Sequence, residues 1–251
     1  MTTTLTPSQA PEPLIRCDKL VVGHRGHALL PAIDVEVRRG ALLAVVGRNG
    51  SGKTTWFRTV LGLLPPVSGR VVQPTGKPRA AYVPQSTAID KILPLTALDL
   101  VLWGRLRNWA FLRPAASRAD RLAAHRALVE AEAADLAHRS FRDLSDGQRQ
   151  RVLFARLLVT DADLALLDEP TAAMDLVAER DAMARMHRLA HERNMAVIVV
   201  THHLAMADQF ADEVLFLDRD DQLVVSGTPR HVLEHPAFLN RYGQLEVPRA
   251  G

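Results

Sequence analysis

Gly47, Asn49, Gly50, Ser51, Gly52, Lys53 and Thr54 lie within eight consecutive positions that follow the pattern G-x-x-x-x-G-K-T. Each residue type has a reason to be there if the ligand is a polyphosphate. Glycines let the backbone wrap closely, so that its N–H groups point inward at the phosphates. The N-terminus of a following helix adds partial positive charge. The Lys53 ammonium suits the β- and γ-phosphates, and the Thr54 hydroxyl suits Mg²⁺. A chance glycine-rich turn has no use for the lysine, and only four lysines occur in the 251 residues. A second group is Asp168-Glu169, directly after the apolar run Leu164-Ala165-Leu166-Leu167. In open α/β sheets ligands bind at the carboxyl ends of the strands. Asp168 suits a Mg²⁺ shell there, and Glu169 is placed to orient an attacking water or take its proton.

Both groups need buried parallel strands behind them, and the pattern supplies these. Residues 42–46 are continuously apolar, as a strand covered on both faces must be. The loop follows, then a helix over 53–64 stopped by Pro65-Pro66. Upstream, 14–22 reads as a strand, and 33–37 alternates apolar and polar with period two. Short strands are expected at 70–72 and 80–83. From 96 to 159 the composition becomes helical, rich in Ala, Leu and Arg. After that, strands at 164–167, 195–200, 214–217 and 223–225 alternate with helices at 176–192, 205–210 and 228–233. The expected architecture is an α/β core with an inserted helical subdomain.

Composition limits the alternatives. A hydrophobic share of 47% and a charged share of 24% are those of a globular chain, which excludes wholesale disorder. No apolar run approaches the roughly 18 residues of a membrane helix. The 31 basic and 28 acidic residues nearly balance, so charge gives no argument for nucleic acid. The single cysteine, Cys17, excludes an intrachain disulfide, and a cytoplasmic location is the default. Residues 1–13 are rich in Thr and Pro, without a basic cluster or apolar stretch. They read as a disordered leader rather than a secretory signal.

A third motif points to a family. Leu144-Ser145-Asp146-Gly147-Gln148 precedes an Arg-rich helical stretch and resembles the Leu-Ser-Gly-Gly-Gln signature of ATP-binding cassette ATPases. Gln85 after a strand, Asp175 after Glu169-Pro170-Thr171, and His202 after Val199-Val200-Thr201 stand in that family's order, so the resemblance spans 14–233. It implies a phosphate-loop NTPase core, RecA-like, with a mixed sheet, an antiparallel β subdomain and the inserted helical signature subdomain. One ATPase domain would span 14–240, with its core at 14–94 and 161–240, its helical part at 95–160, and a tail at 241–251. The implied ligands are ATP and Mg²⁺. The phosphate-loop residues and Thr55 would bind ATP, and His24 would stack on adenine where relatives carry Tyr. Thr54, Gln85 and Asp168 would hold Mg²⁺. Glu169, His202 and Gln85 would be the catalytic groups. Two copies would close head to tail, so that Ser145, Asp146, Gly147 and Gln148 of one face the ATP held by the other, with Asp175 linking the two sites.

The run Val83-Pro84-Gln85, Ile89-Asp90, Pro94-Leu95-Thr96 and Asp99-Leu100-Val101 through Gly104-Arg105 resembles the ATPase subunits of bacterial zinc and manganese importers. Leu93, Leu95, Leu98 and Trp103 look like its docking surface. This implies separate integral-membrane permease subunits, a substrate-binding protein, no nucleic-acid partner, and a place on the inner face of the cell membrane. Iron–siderophore importer ATPases share the second half of the run, and a soluble ATPase of iron–sulfur cluster assembly has a similar length. Asp146 departs from the signature by placing a carboxylate where the opposite γ-phosphate should sit. Ala172 stands where Ser is common, and Trp56 reads as helix packing. His187 and His191 lie one helical turn apart, as do His231 and His235. Two ligands do not complete a zinc site, so these pairs read as solvated helix faces.

Overall fold

The computed structural model describes residues 13–83, 95–105, 116–171 and 174–243. Its strands are β1 (Ile15–Val21), β2 (Gly23–His24), β3 (His27–Ala28), β4 (Ile33–Val37), β5 (Leu42–Val46), β6 (Ser68–Val72), β7 (Ala80–Val83), β8 (Leu164–Asp168), β9 (Ala196–Thr201), β10 (Glu213–Asp218) and β11 (Leu223–Gly227). Six of them form one sheet in the order β11-β10-β5-β9-β8-β7. All its pairings are parallel except β10 with β11. A separate antiparallel sheet runs β4-β1-β6, and β2 pairs with β3. The mixed sheet and the antiparallel unit are those expected from the sequence.

Alternation along β5 explains how the layers are held. All five of its residues are buried. Successive side chains of a strand point to opposite faces. Leu42, Ala44 and Val46 therefore enter one core, and Leu43 and Val45 the other. The second core also contains Ile15, Leu20 and Ile33 of the antiparallel sheet, and Trp56 and Phe57 of α1 (Lys53–Val60). Trp56 is fully buried, so packing is its role. Burial beside it pushes the Cys17 thiol up to about 12, which leaves that thiol inert.

α1 ends four residues earlier than expected. Gly62 adopts φ 72, its N–H bonds the Thr59 carbonyl, and the Leu63 N–H bonds the Arg58 carbonyl. This closing motif satisfies the last carbonyls and stops the helix before Pro65 is reached.

The first core continues into the inserted helices α2 (Ala97–Arg105), α3 (Arg118–Glu130) and α4 (Asp146–Leu158). Ser117 and Ser145 each open their helix with a reciprocal capping box, to Asp120 and Gln148 respectively. Returning to the sheet, α5 (Leu176–Arg193) and α6 (Leu204–Phe210) flank β9 in sequence. The chain closes with α7 (Pro229–Leu233) and α8 (Pro236–Tyr242). Phe238 and Tyr242 of α8 pack edge-on against Phe216, so ordered structure crosses the boundary placed at residue 240. Among the described residues no helix is long and apolar enough to cross a membrane.

The segment read as a docking surface is only partly exposed. Leu95 and Leu98 pack against the core, whereas Trp103 is 43% exposed. Leu98 lies on α2, which packs against α3 and α4. Gln85, Ile89, Asp90, Leu93, Pro94 and Ala172 lie outside the described residues.

Candidate functional site

The loop after β5 has to reverse tightly while leaving its amides free. Gly52 makes the turn into α1 at φ 103 as the helix N-cap. That left-handed conformation favours glycine, and a Cβ there would also press on Leu30 Cδ1 at 2.8 Å. Lys53 begins the helix almost fully buried, and its Nζ donates to the carbonyls of Gly47 at 2.7 Å and Arg48 at 3.0 Å. Burial lowers its pKa, and Glu169 and Asp168 oppose that shift. Ser51 Oγ is buried with no hydrogen-bond partner among the described residues. Thr54 is exposed, whereas Thr55 is buried with its Oγ1 3.3 Å from His24 Nε2.

The acidic pair arrives on β8. Asp168 is half-buried at the strand end, and burial raises its pKa, reinforced by the neighbouring Glu169 charge. The Tyr82 hydroxyl donates to Asp168 Oδ2 at 3.5 Å. Glu169 adopts φ 46, a left-handed conformation that a side-chain-bearing residue keeps only when its surroundings impose it. Its N–H donates to the Val200 carbonyl at 3.1 Å, which keeps β8 registered against β9 through that bend.

These two groups share a cavity of about 360 Å³ lined by His24, Asn49, Gly50, Gly52, Lys53, Thr54, Thr55, Asp168 and Glu169, together with Leu29 and Arg219. The helix N-terminus there suits an anion, and the Lys53 cation shares the cavity with two carboxylates. The exposed Thr54 hydroxyl and the half-buried Asp168 carboxylate are hard oxygen donors lining the same cavity, a set that fits Mg²⁺. Burial drives up the pKa of Asp168 and drives down that of Lys53, so both charges are held against a desolvation penalty. A bound cation would offset the Asp168 charge, and a polyphosphate that of Lys53.

The remaining motif residues lie elsewhere. Ser145 caps α4, with its N–H donating to Gln148 Oε1 at 3.1 Å. Asp146 is half-exposed, and its Oδ1 lies 3.7 Å from Arg149 Nη1. Ser145, Gly147 and Gln148 line a groove between α4 and α5, together with Met174 and Ala178. None of these lines the phosphate cavity. Asp175 caps α5 through the Ala178 N–H at 2.9 Å.

His202 is exposed just after β9, its ring tilted against that of His203 with centroids 4.1 Å apart. His203 Nδ1 lies 3.2 Å from Oε2 of Glu179, which is only 1% exposed. Glu179 Oε1 accepts from Thr171 Oγ1 at 3.0 Å. A buried carboxylate thus ties the segment after Glu169 to the segment after Thr201. Sequence reasoning missed both Glu179 and Arg219. Glu179 falls four residues into a charged helix, where an exposed glutamate is the ordinary reading. Arg219 arrives from the β10–β11 turn, distant in sequence.

Comparison with known proteins agrees with this geometry. Residues 30–172 match the family model described as "ABC transporter". The zinc import ATP-binding protein ZnuC of Pseudomonas entomophila is 36% identical over 231 residues, covering 92% of this chain and 84% of that relative. Its namesake in Yersinia pestis is 36% identical over 230 residues, covering 92% and 85%. Among solved structures, a metal-chelate type ABC transporter in an inward-facing conformation superposes with a TM-score of 0.79 at 28% identity, covering 93% of this chain and 90% of that one. A nucleotide-free ATP-binding cassette shares the fold, with a TM-score of 0.77 at 19% identity over 92% of this chain. With the phosphate loop and the acidic pair in one cavity and the signature on a separate helix, this chain belongs to the ABC transporter family.

Proposed function

We propose that this chain is the ATP-hydrolysing subunit of an importer of a divalent transition metal, zinc being favoured by the named relatives. The observation that carries the reading is the shared cavity of Lys53, Thr54, Asp168 and Glu169. ATP enters with its phosphates against the loop amides. Lys53 Nζ exchanges the Gly47 and Arg48 carbonyls for phosphate oxygens. His24 lies at the adenine end, beside Thr55. Thr54 and Asp168, with Gln85, would hold Mg²⁺, which would offset charge on the phosphate oxygens. Glu169 accepts the proton of the attacking water, and His202 hydrogen-bonds the γ-phosphate.

Ser145, Gly147 and Gln148 line no part of this cavity, so a second copy supplies them across an ATP sandwich, with Asp175 at the seam. Integral-membrane permease subunits dock near α2, where Trp103 is exposed, and a substrate-binding protein delivers the metal on the far side. The chain then works at the cytoplasmic face of the membrane. The superposition on a metal-chelate type transporter supports a second reading, an importer of chelated iron. Growth of a deletion strain with zinc, manganese and iron restricted in turn separates the two. Zinc import predicts a defect under zinc restriction alone. A defect confined to chelated iron would overturn it. Trp103→Glu should reduce co-purification with the permease while leaving ATP binding by the isolated chain intact.

A further inference from the structure

We propose that His187, His191 and Asp212 form a binding site for a divalent transition-metal ion of the zinc class, remote in sequence from the phosphate loop. His187 and His191 lie one turn apart on α5, with ring centroids 4.3 Å apart. The missing third ligand comes from a different element. Asp212 stands between α6 and β10, and its Oδ2 lies 3.3 Å from His191 Nε2. One ligand atom from each of the three residues lies within 4.8 Å of the other two.

A tetrahedral zinc ion with bonds of about 2.0–2.1 Å separates its ligands by roughly 3.3 Å. The His191–Asp212 pair already has that spacing, and the His187 ligand atom lies within 4.8 Å of both. Asp212 is oriented in advance. Its Oδ2 accepts from the Leu42 N–H at 2.7 Å, and its own N–H donates to the Leu42 carbonyl at 2.9 Å. Fixing a ligating carboxylate by an outer hydrogen bond is how metal sites set ligand geometry. Two imidazoles and a carboxylate leave one open position and select zinc-class ions over Mg²⁺ or Ca²⁺. The set differs in kind from Thr54 and Asp168, which offer oxygen alone. A bound ion would tie the C-terminal half of α5 to the entry of β10. It would also sit beside the first residue of β5, the strand that leads into the phosphate loop.

The test uses the full chain, stripped of metal and held in excess Mg²⁺, with zinc chloride as the probe in equilibrium dialysis. One equivalent should bind, and Mg²⁺ should not compete. His187→Ala and His191→Ala should each weaken binding at least tenfold. Cobalt substitution should give a visible absorption band in the parent that both variants lose. Asp212 also holds the Leu42 backbone, so its variants risk a folding defect, and His191→Gln is the cleaner probe. It should lose zinc while keeping ATP affinity and the metal-free melting temperature of the parent. Zinc bound with parental affinity by the double variant His187→Ala/His191→Ala would overturn the proposal. So would a parent that binds no zinc at sub-millimolar concentration.

Discussion

The phosphate-loop end of the sheet and the start of α4 both present a helix N-terminus suited to an anion, yet they are built differently. At the loop, Lys53 is buried, the turn into α1 takes a left-handed conformation that favours glycine, and two carboxylates share the cavity. At α4, Ser145 and Gln148 satisfy each other in a capping box, and Asp146 is half-exposed beside Arg149. The first region is a cavity whose lining suits phosphate. The second is a preformed helix start on a separate groove that lines no part of that cavity. Ground-state binding and turnover should therefore respond to different substitutions.

The largest contrast is expected at Glu169. Glu169→Gln keeps size and hydrogen-bonding reach but removes basicity. Turnover should fall about 10²–10⁴-fold with ATP affinity nearly unchanged. Single-turnover hydrolysis within tenfold of the parent would remove Glu169 as the base. Lys53→Ala should act on binding instead. A charge-assisted hydrogen bond contributes about 1.5–3 kcal/mol, so ATP affinity should drop roughly 10- to 150-fold. Fluorescent-nucleotide titration reads that loss.

Glu179 sharpens the comparison, because it touches neither cavity nor signature. Glu179→Gln should lower kcat several-fold and leave ATP affinity alone, since it loosens Thr171 and His203 rather than the loop. Glu179→Ala should also destabilise the fold by about 1–3 kcal/mol, by leaving the buried Thr171 hydroxyl without its acceptor. Equal losses of kcat and stability in both variants would reduce Glu179 to a structural residue.

Asp168→Asn tests the strain within the cavity. A carboxyl whose folded pKa is raised makes ionisation unfavourable to folding, so its penalty is fully present above the folded pKa. It disappears as pH falls below the unfolded value. The nucleotide-free variant should match or exceed the parent in melting temperature near neutral pH, and the gain should vanish in acid. Mg²⁺-dependent ATP binding should weaken at the same time. A variant less stable than the parent at neutral pH would count against a strained pair.

The smallest effect is expected at Asp146. From the sequence, its carboxylate opposes closure on the second ATP. In the structure Arg149 offsets it, and an acidic residue in the first turn also complements the helix dipole. Asp146→Gly should tighten an ATP-dependent dimer of Glu169→Gln only a few-fold by sedimentation. A tightening beyond a hundredfold would mean that Arg149 does not shield it.

How much of this could be read in advance follows from which interactions are local. The loop, the acidic pair and the signature are contiguous stretches whose spacing carries the chemistry, and each lies where its strand or helix was expected. α1 departed from expectation because the Gly62 closing motif stopped it before the prolines did. Leu98 looked exposed because helix periodicity does not say which neighbours cover a face.

Short-range pattern thus determined the nucleotide site and the family, since loop, strand and helix signals act over a few residues. Only the tertiary structure decided what joins across sequence. It buried Glu179 between Thr171 and His203, carried Arg219 to the phosphate cavity, and set Asp212 beside His187 and His191. The physical reason is the same in each case. Parallel strands are connected by long crossovers, so residues brought together at a sheet end or a helix face come from segments whose separation no periodicity records.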